Sequence, residues 1–346
     1  MATLRDVATQ LNLSQAVVSR VLNGAKDARA SEETRRRVFA AALALNYRPS
    51  ATARALATGR TMQIGVLVGE NQLREQNSIH GGEISGLMAE ALLHHYRLSL
   101  LPLEAGSIGA SRLRDWINDR NCDAFCLFSK HLGAGELNVL RDCTLPRVIF
   151  GDPRESDDTL GATVVDFDNH AYAHEATAWL GAQGHSRIAW ATSVGETDQP
   201  HTILLRQGYS EALRERGGEP LVWPFTPHDA AMLELVRANG ATAAIVRGYH
   251  SMTGWITTLL EAGYKLPGDF HLLALLSEEE FDYALLGGML RYAAVHIHSP
   301  RSAGILAAKL LIGGIAGDTM RPRALVASSR EPFWGDPTHM APTGGS

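Results

Sequence analysis

A chain of 346 residues, 45% hydrophobic and 20% charged, has an ordinary soluble composition and room for two or three well-buried domains. No apolar run approaches the roughly 18 residues of a membrane span, and the N-terminus opens on a helical pattern without an apolar signal core, so a cytoplasmic protein with no membrane partner is expected. Formal net charge is −5, but residues 1–60 hold ten Lys/Arg against four Asp/Glu, a net of +6 that leaves −11 for the rest, and a basic head on an acidic body is the electrostatic footprint of a modular DNA binder.

The first element is a helix in which Leu4, Val7, Ala8 and Leu11 repeat at i, i+3, i+4 and i+7, with Thr3 placed to cap it. A break at Asn12-Leu13-Ser14 follows. A second helix, capped by Ser14, carries Val17, Val18, Val21 and Leu22 on one face. Its other face holds Gln15, Ala16, Ser19 and Arg20. Gln and Arg suit bidentate contacts to adenine and guanine, and the Ala methyl can meet a thymine methyl. Two helices of this size form no domain alone, but they suit a helix-turn-helix whose second helix docks in the major groove. A third helix opens at Ser31-Glu32-Glu33, with Val38, Ala41, Ala42 and Leu45 as its core face, and ends at Asn46-Tyr47-Arg48-Pro49.

Asp6-Val7-Ala8, Leu13-Ser14 and Val18-Ser19-Arg20-Val21-Leu22-Asn23 match in type and spacing the headpiece pattern of the LacI-type (lactose and purine repressor) family, which the chain resembles. Val17 stands where that family usually has Thr, and Asn12 and Asn46 where it usually has Gly. The resemblance implies DNA contacts by Thr3, Ser14, Gln15, Ala16, Ser19, Arg20, Asn23, Arg29 and Tyr47. It also implies that Ser50–Thr58 is a hinge helix. Leu56 would then wedge into the minor groove, with Arg54 near the backbone, and levering one base step apart lets a bent duplex touch more protein.

From Met62 the pattern changes to strand-like runs at 64–68, 98–101, 124–128 and 147–150, alternating with helical stretches at 82–95, 110–120 and 135–143. A second set follows, with strands at 188–191, 221–222, 243–246 and 272–276 and helices at 171–183, 204–215, 230–239 and 252–262. Such alternation means βαβ units and parallel sheets. The fold expected is an all-α helix-turn-helix headpiece followed by an α/β, two-lobed, periplasmic-binding-protein-like (type I) effector domain. The domains expected are a headpiece at 1–49, a hinge at 50–61, an effector and dimerisation domain at 62–340 and a tail at 341–346. Lobe 1 would span about 62–165 and 296–323, and lobe 2 about 166–295 and 324–340. The family's three passages between lobes are placed near Val165-Asp166, Tyr292–His298 and Pro322–Val326. The helix 301–311 would flank a dimer interface, and the polar end from Asp336 is expected to be disordered.

A ligand in such a clamp sits between lobes at the C-terminal ends of strands. The family's pocket signatures are altered here. Its R-x-x-G-aromatic segment reads Leu205-Arg206-Gln207-Gly208-Tyr209, with the Arg one place late. The Asp that usually grips sugar hydroxyls is Tyr249. Ser277-Glu278-Glu279-Glu280 follows the next strand, and Tyr292-Ala293-Ala294-Val295-His296-Ile297 replaces the usual crossing. Arg206, Arg247, Tyr249, His250 and Ser277 are the candidate effector ligands. They suit an anionic metabolite such as a sugar acid or phosphate, with a degraded pocket as the alternative. Cys122, Cys126 and Cys143 form no C-x-x-C pair, the 14 His lack metal-ligand spacing, and no catalytic motif is present, so no metal, no cofactor and no enzyme are expected. The expectation is a dimeric repressor on near-palindromic double-stranded operator DNA, controlled by a small-molecule effector. A solute-binding or sensor protein of the same two-lobed fold is the alternative.

Overall fold

A computed structural model describes residues 2–22, 30–47, 55, 58–69, 80–103, 107–128, 133–151, 161–193, 199–225, 231–328 and 330–335. Two compact units divide the chain: Met1–Gln63 with Trp116–Asp123, and Ile64–Asp115 with Ala124–Ser346.

The first unit begins with α1 (Leu4–Leu11), α2 (Gln15–Leu22) and α3 (Glu32–Ala44). Their apolar stripes meet in a small core of Val7, Ala8, Val18, Val21, Val38, Ala41 and Ala42, with Leu4, Leu11, Leu13, Leu22, Leu45 and Tyr47 packed around it. Each helix start is a local hydrogen-bond device. Thr3 and Asp6 form a reciprocal capping box on α1, Ser14 accepts from the Val17 N–H, and Ser31 accepts from the Thr34 N–H. The turns after α1 and α3 need a left-handed residue, and Asn12 (φ 54°) and Asn46 (φ 48°) supply it. The two departures from the family's Gly therefore replace it with the side chain that best tolerates this backbone. In the same unit the Asp123 carboxylate accepts from Thr61 N–H (2.7 Å), Thr61 Oγ1–H (2.8 Å) and Met62 N–H (2.9 Å), which anchors the chain just ahead of the first strand.

The second unit holds two six-stranded sheets. The first lobe contains β1 (Gln63–Gly69), α4 (Gly81–Leu93), β2 (Arg97–Leu103), α5 (Ser107–Asn118), β3 (Ala124–Phe128), α6 (Ala134–Arg141), β4 (Arg147–Phe150) and β5 (Thr163–Phe167). The second contains α7 (Asn169–Ala182), β6 (Ile188–Ser193), α8 (Pro200–Glu215), β7 (Leu221–Phe225), α9 (Ala231–Asn239), β8 (Ala243–Arg247), α10 (Tyr249–Glu261), β9 (His271–Ser277), α11 (Glu278–Leu286) and β10 (Ala294–His298). The chain then returns through α12 (Pro300–Ala316) and β11 (Arg323–Val326) and ends at β12 (Phe333–Trp334). Sheet order is β11-β5-β4-β3-β1-β2 in one lobe and β12-β10-β9-β8-β6-β7 in the other. β12 lies antiparallel to β10, while β9 and β10 run parallel.

The strands expected at 124–128 and 147–150 have those bounds, and the others are extended by one to three residues. Four further strands, β5, β10, β11 and β12, occupy stretches that sequence reading assigned to passages or left blank. Each passage instead begins where a strand ends, after Phe167, His298 and Val326. Helix α11 was also missed, although Ser277 and Glu280 form a capping box, with reciprocal bonds of 3.2 and 2.9 Å. Glycine permits the closest helix packing. A β-carbon at Gly86 would strike the Arg301 carbonyl of α12, and one at Gly304 would strike the Glu83 carbonyl of α4. Gly208 of α8 packs in the same way on the His170 carbonyl of α7. No helix among the described residues is long and apolar enough to cross a membrane.

Candidate functional site

On α2 the two faces separate cleanly. Val18 and Val21 are fully buried, whereas Gln15, Ala16 and Arg20 are exposed and Ser19 is half-buried. The Arg20 Nε–H donates to the Ala16 carbonyl at 3.3 Å, which holds its side chain along the outer face. Ser14 is exposed at the helix start with its Oγ in the cap. Thr3 is exposed, and its N–H and hydroxyl both donate to the Asp6 carboxylate, at 2.8 and 2.9 Å. The Thr3 N–H first, and its hydroxyl second, hold that carboxyl below its usual range. Tyr47 is packed on the headpiece itself. Its N–H donates to the Ala42 carbonyl at 2.8 Å, and the left-handed turn at Asn46 brings its side chain half-buried onto the headpiece core. Asn23, Arg29, Arg54 and Leu56 lie outside the described residues.

The candidate effector residues do not all converge. Arg247 is exposed at the C-terminal end of β8, where its Nη1 donates to His201 Nε2 at 2.9 Å. That bond places the His201 proton on Nδ1. Tyr249 starts α10, with its N–H donating to Glu280 Oε1 at 3.1 Å and its ring 5.8 Å from that of exposed His250 and 6.4 Å from that of Tyr283. Ser277 is half-buried, and its Oγ caps α11. Arg206 lines a surface depression of about 630 Å³ with His170, Gln207, Ser210, Glu211, Arg214 and Glu215. A shift of one residue turns a side chain about 100° around a helix, and Leu205 takes the buried position instead. Gly208 and Tyr209 of the same segment serve packing. The Tyr209 hydroxyl donates to the Ile188 carbonyl at 2.7 Å and accepts the Leu221 N–H at 2.8 Å.

Glu280 and His298 were not singled out from sequence. Glu280 accepts from both Ser277 and Tyr249 and so ties the starts of α10 and α11 together. His298 ends β10 with its ring edge-on to Phe167 at 4.6 Å and to Tyr172 at 5.5 Å. Burial first, and the nearby Arg247 cation second, push its pKa down to about 4. Burial also raises the Tyr172 hydroxyl well above its usual value, with Glu280 acting in the same sense. The S-x-x-E spacing of Ser277 and Glu280 was a readable signal; for His298 the sequence offered none.

A helix-turn-helix carrying its polar face outward, on a chain with two parallel α/β lobes, defines the class: a DNA-binding transcription regulator. The comparisons carry this to a family. Residues 3–50 match the model of bacterial regulatory proteins, lacI family. The chain is 30% identical over 336 residues to the HTH-type transcriptional regulator AglR of Rhizobium meliloti (strain 1021), covering 90% of this chain and 87% of that protein. It is 31% identical over 249 residues to the HTH-type transcriptional regulator RafR of Escherichia coli, covering 70% and 72%. Among solved structures it is similar to the lac repressor dimer bound to operator and the anti-inducer ONPF, with TM-score 0.68, 18% identity and 96% and 97% coverage. It is also similar to a transcriptional regulator CelR–cellobiose complex, with TM-score 0.62, 24% identity and 96% and 98% coverage. The protein belongs to the LacI family of bacterial regulatory proteins. The relatives named here are transcriptional regulators, not enzymes.

Proposed function

We propose that the protein is an effector-controlled repressor of a carbohydrate or related catabolic operon, binding near-palindromic operator DNA as a homodimer. The observation that carries this reading is the division of α2, whose Val18 and Val21 are sealed in the headpiece while Gln15, Ala16 and Arg20 stand exposed. A helix presented in this way reads base edges, and basic residues around it set register on the phosphates. The headpiece also favours a regulator over a solute-binding protein of the same two-lobed fold. A dimer is supported by apolar side chains left exposed on the second unit: Met88, Leu92 and Leu93 on α4, and Tyr283, Leu285 and Leu286 on α11.

The effector is proposed to lie between the lobes, at the C-terminal ends of β8, β9 and β10. Arg247 and His201 in contact there favour a metabolite with an acid group, a sugar acid or a sugar phosphate, which would accept from both. Glu280 is turned onto backbone amides. A neutral sugar is the second reading, supported by the cellobiose complex of CelR. The test is fluorescence anisotropy of the full chain on its own promoter DNA, with neutral sugars, sugar acids and sugar phosphates compared. A shift with acidic members alone supports the first reading, and a shift with neutral sugars alone supports the second. Absence of any specific DNA binding overturns both.

A further inference from the structure

Each of the three passages between the lobes ends against the first two turns of α7. The Asp168 N–H donates to the Val326 carbonyl at 3.0 Å, which lays the first passage beside the third. Tyr172, about one turn later on the same helix face, donates its hydroxyl to the carbonyls of His296 and Leu276 and faces His298, which in turn meets Phe167. Tyr172 and His298 thus join the ends of the first and second passages. One turn further on, Glu175 Oε2 accepts from two directions: His296 Nε2 at 3.1 Å and Ser328 Oγ at 2.8 Å. His296 belongs to β10, and Ser328 lies two residues into the third passage.

We propose that Glu175 is a positioning residue, a carboxylate fork that fastens the third passage to β10 and so sets how far the two lobes can swing. In a two-lobed clamp the few residues of each passage absorb the backbone change when the lobes move. A side chain holding one passage therefore acts where motion is decided. The magnitudes favour this role over a purely stabilising one. The Glu175 side chain is 46% exposed, and a bond to a group so solvated adds little to global stability. His296 by contrast is wholly buried. Burial pushes its pKa down to about 4 against the opposing pull of Glu175, so near neutral pH the ring is uncharged and its Nε2–H donates to the carboxylate. The same Oε2 is then shared with a hydroxyl from a segment 153 residues away from it in sequence. Stiffness at the passage, not free energy of folding, is what this geometry provides.

The functional consequence rests on reading the interlobe cleft as the effector site, so the test is arranged to judge the two separately. The full-length protein would carry one spin label on an exposed position of each lobe, and interlobe distance distributions would be recorded by double electron–electron resonance. Amide exchange of the peptide covering the third passage would be followed in parallel. Glu175→Ala is expected to broaden the distance distribution and speed exchange of that peptide roughly tenfold, while the melting temperature stays within a few degrees of wild type. Glu175→Gln keeps an acceptor oxygen for both donors and is expected to restore the wild-type distribution. Ser328→Ala removes one arm only and gives an intermediate result; it carries the test if Glu175→Ala fails to fold. An unchanged distribution and unchanged exchange in these variants overturn the proposal. So does broadening in which Glu175→Gln behaves as Glu175→Ala. If no metabolite moves the DNA affinity of the wild type, the cleft reading fails, while the distance measurement still decides the role of Glu175.

Discussion

Glu279 of the second lobe lies directly against Gly82 in the first turn of α4 of the first lobe, so closely that a β-carbon at Gly82 would collide with Glu279 Oε1. The same β-carbon would come within 2.7 Å of Pro300 Cβ at the start of α12. Gly82→Ala is therefore expected to destabilise the protein by about 1–2 kcal/mol, because proline cannot move aside and Glu279 must. Glu279→Ala in the same chain removes one of the two collisions. The double variant should lose less stability than the sum of the singles, a coupling that urea denaturation of all four proteins would measure. Strict additivity would mean that the lobes do not meet at this point.

Asn12 and Asn46 make an independent prediction about the headpiece. Both hold left-handed backbone where a β-carbon is strained, and asparagine is the side chain that bears it best after glycine. Asn12→Ala and Asn46→Ala should each cost about 1 kcal/mol, and the glycine variants should match or exceed wild type. Amide exchange of α1 to α3 reads this locally. Faster exchange in the glycine variants than in the alanine ones would contradict the geometry.

How far the sequence could be read follows the range of the forces involved. Thr3, Ser14 and Ser31 act on residues three positions away, and their caps were legible. The headpiece stripe was legible because a helix repeats its buried face every turn. β5 and β10 were missed as strands because their apolar runs are interrupted by Asp166, His296 and His298, polar groups that only the folded neighbourhood satisfies or neutralises. One position of shift around a helix decides which way a side chain faces, so the residue type of Arg206 did not by itself tell that it lines a depression with His170 and Glu211. Glu175 carried no local signal at all, since its partners lie 121 and 153 residues away.

Four histidines withdrawn wholly (His296) or partly (His185, His271, His298) from solvent predict how stability varies with pH. Burial lowers His271, His296 and His298 to about 4, and His185, which shares a 2.6 Å hydrogen bond with His271, is lowered in the same direction. In the unfolded chain a histidine takes a proton near pH 6.5, so below that value the unfolded state binds protons that the folded state refuses. Stability should be full above about pH 6.5, fall as pH drops through the interval, and level off only near pH 4. Denaturant melts at pH 7.5, 6 and 5 would show it, and His271→Asn should flatten the slope by close to one proton. A stability that stays constant from pH 7 to 5 would mean that these rings are protonated in the folded protein.

Gln15 and Arg20 test the readout at the DNA. Both stand exposed on α2, one in its first turn and one in its second, so the proposed readout assigns each its own base pair. Loss of a bidentate base contact costs about 1–3 kcal/mol at that position and leaves phosphate contacts intact. Gln15→Ala should therefore relax discrimination at one symmetric pair of operator positions and leave the salt dependence of binding unchanged. Arg20→Ala should relax another pair and, by removing a positive charge near the phosphates, weaken nonspecific binding as well. Anisotropy titrations against an operator series with single symmetric substitutions, repeated at two salt concentrations, separate these outcomes. A uniform loss across every operator for Gln15→Ala would assign that side chain to the backbone instead of the bases. Discrimination left intact in both variants would move the reading surface off this face of α2.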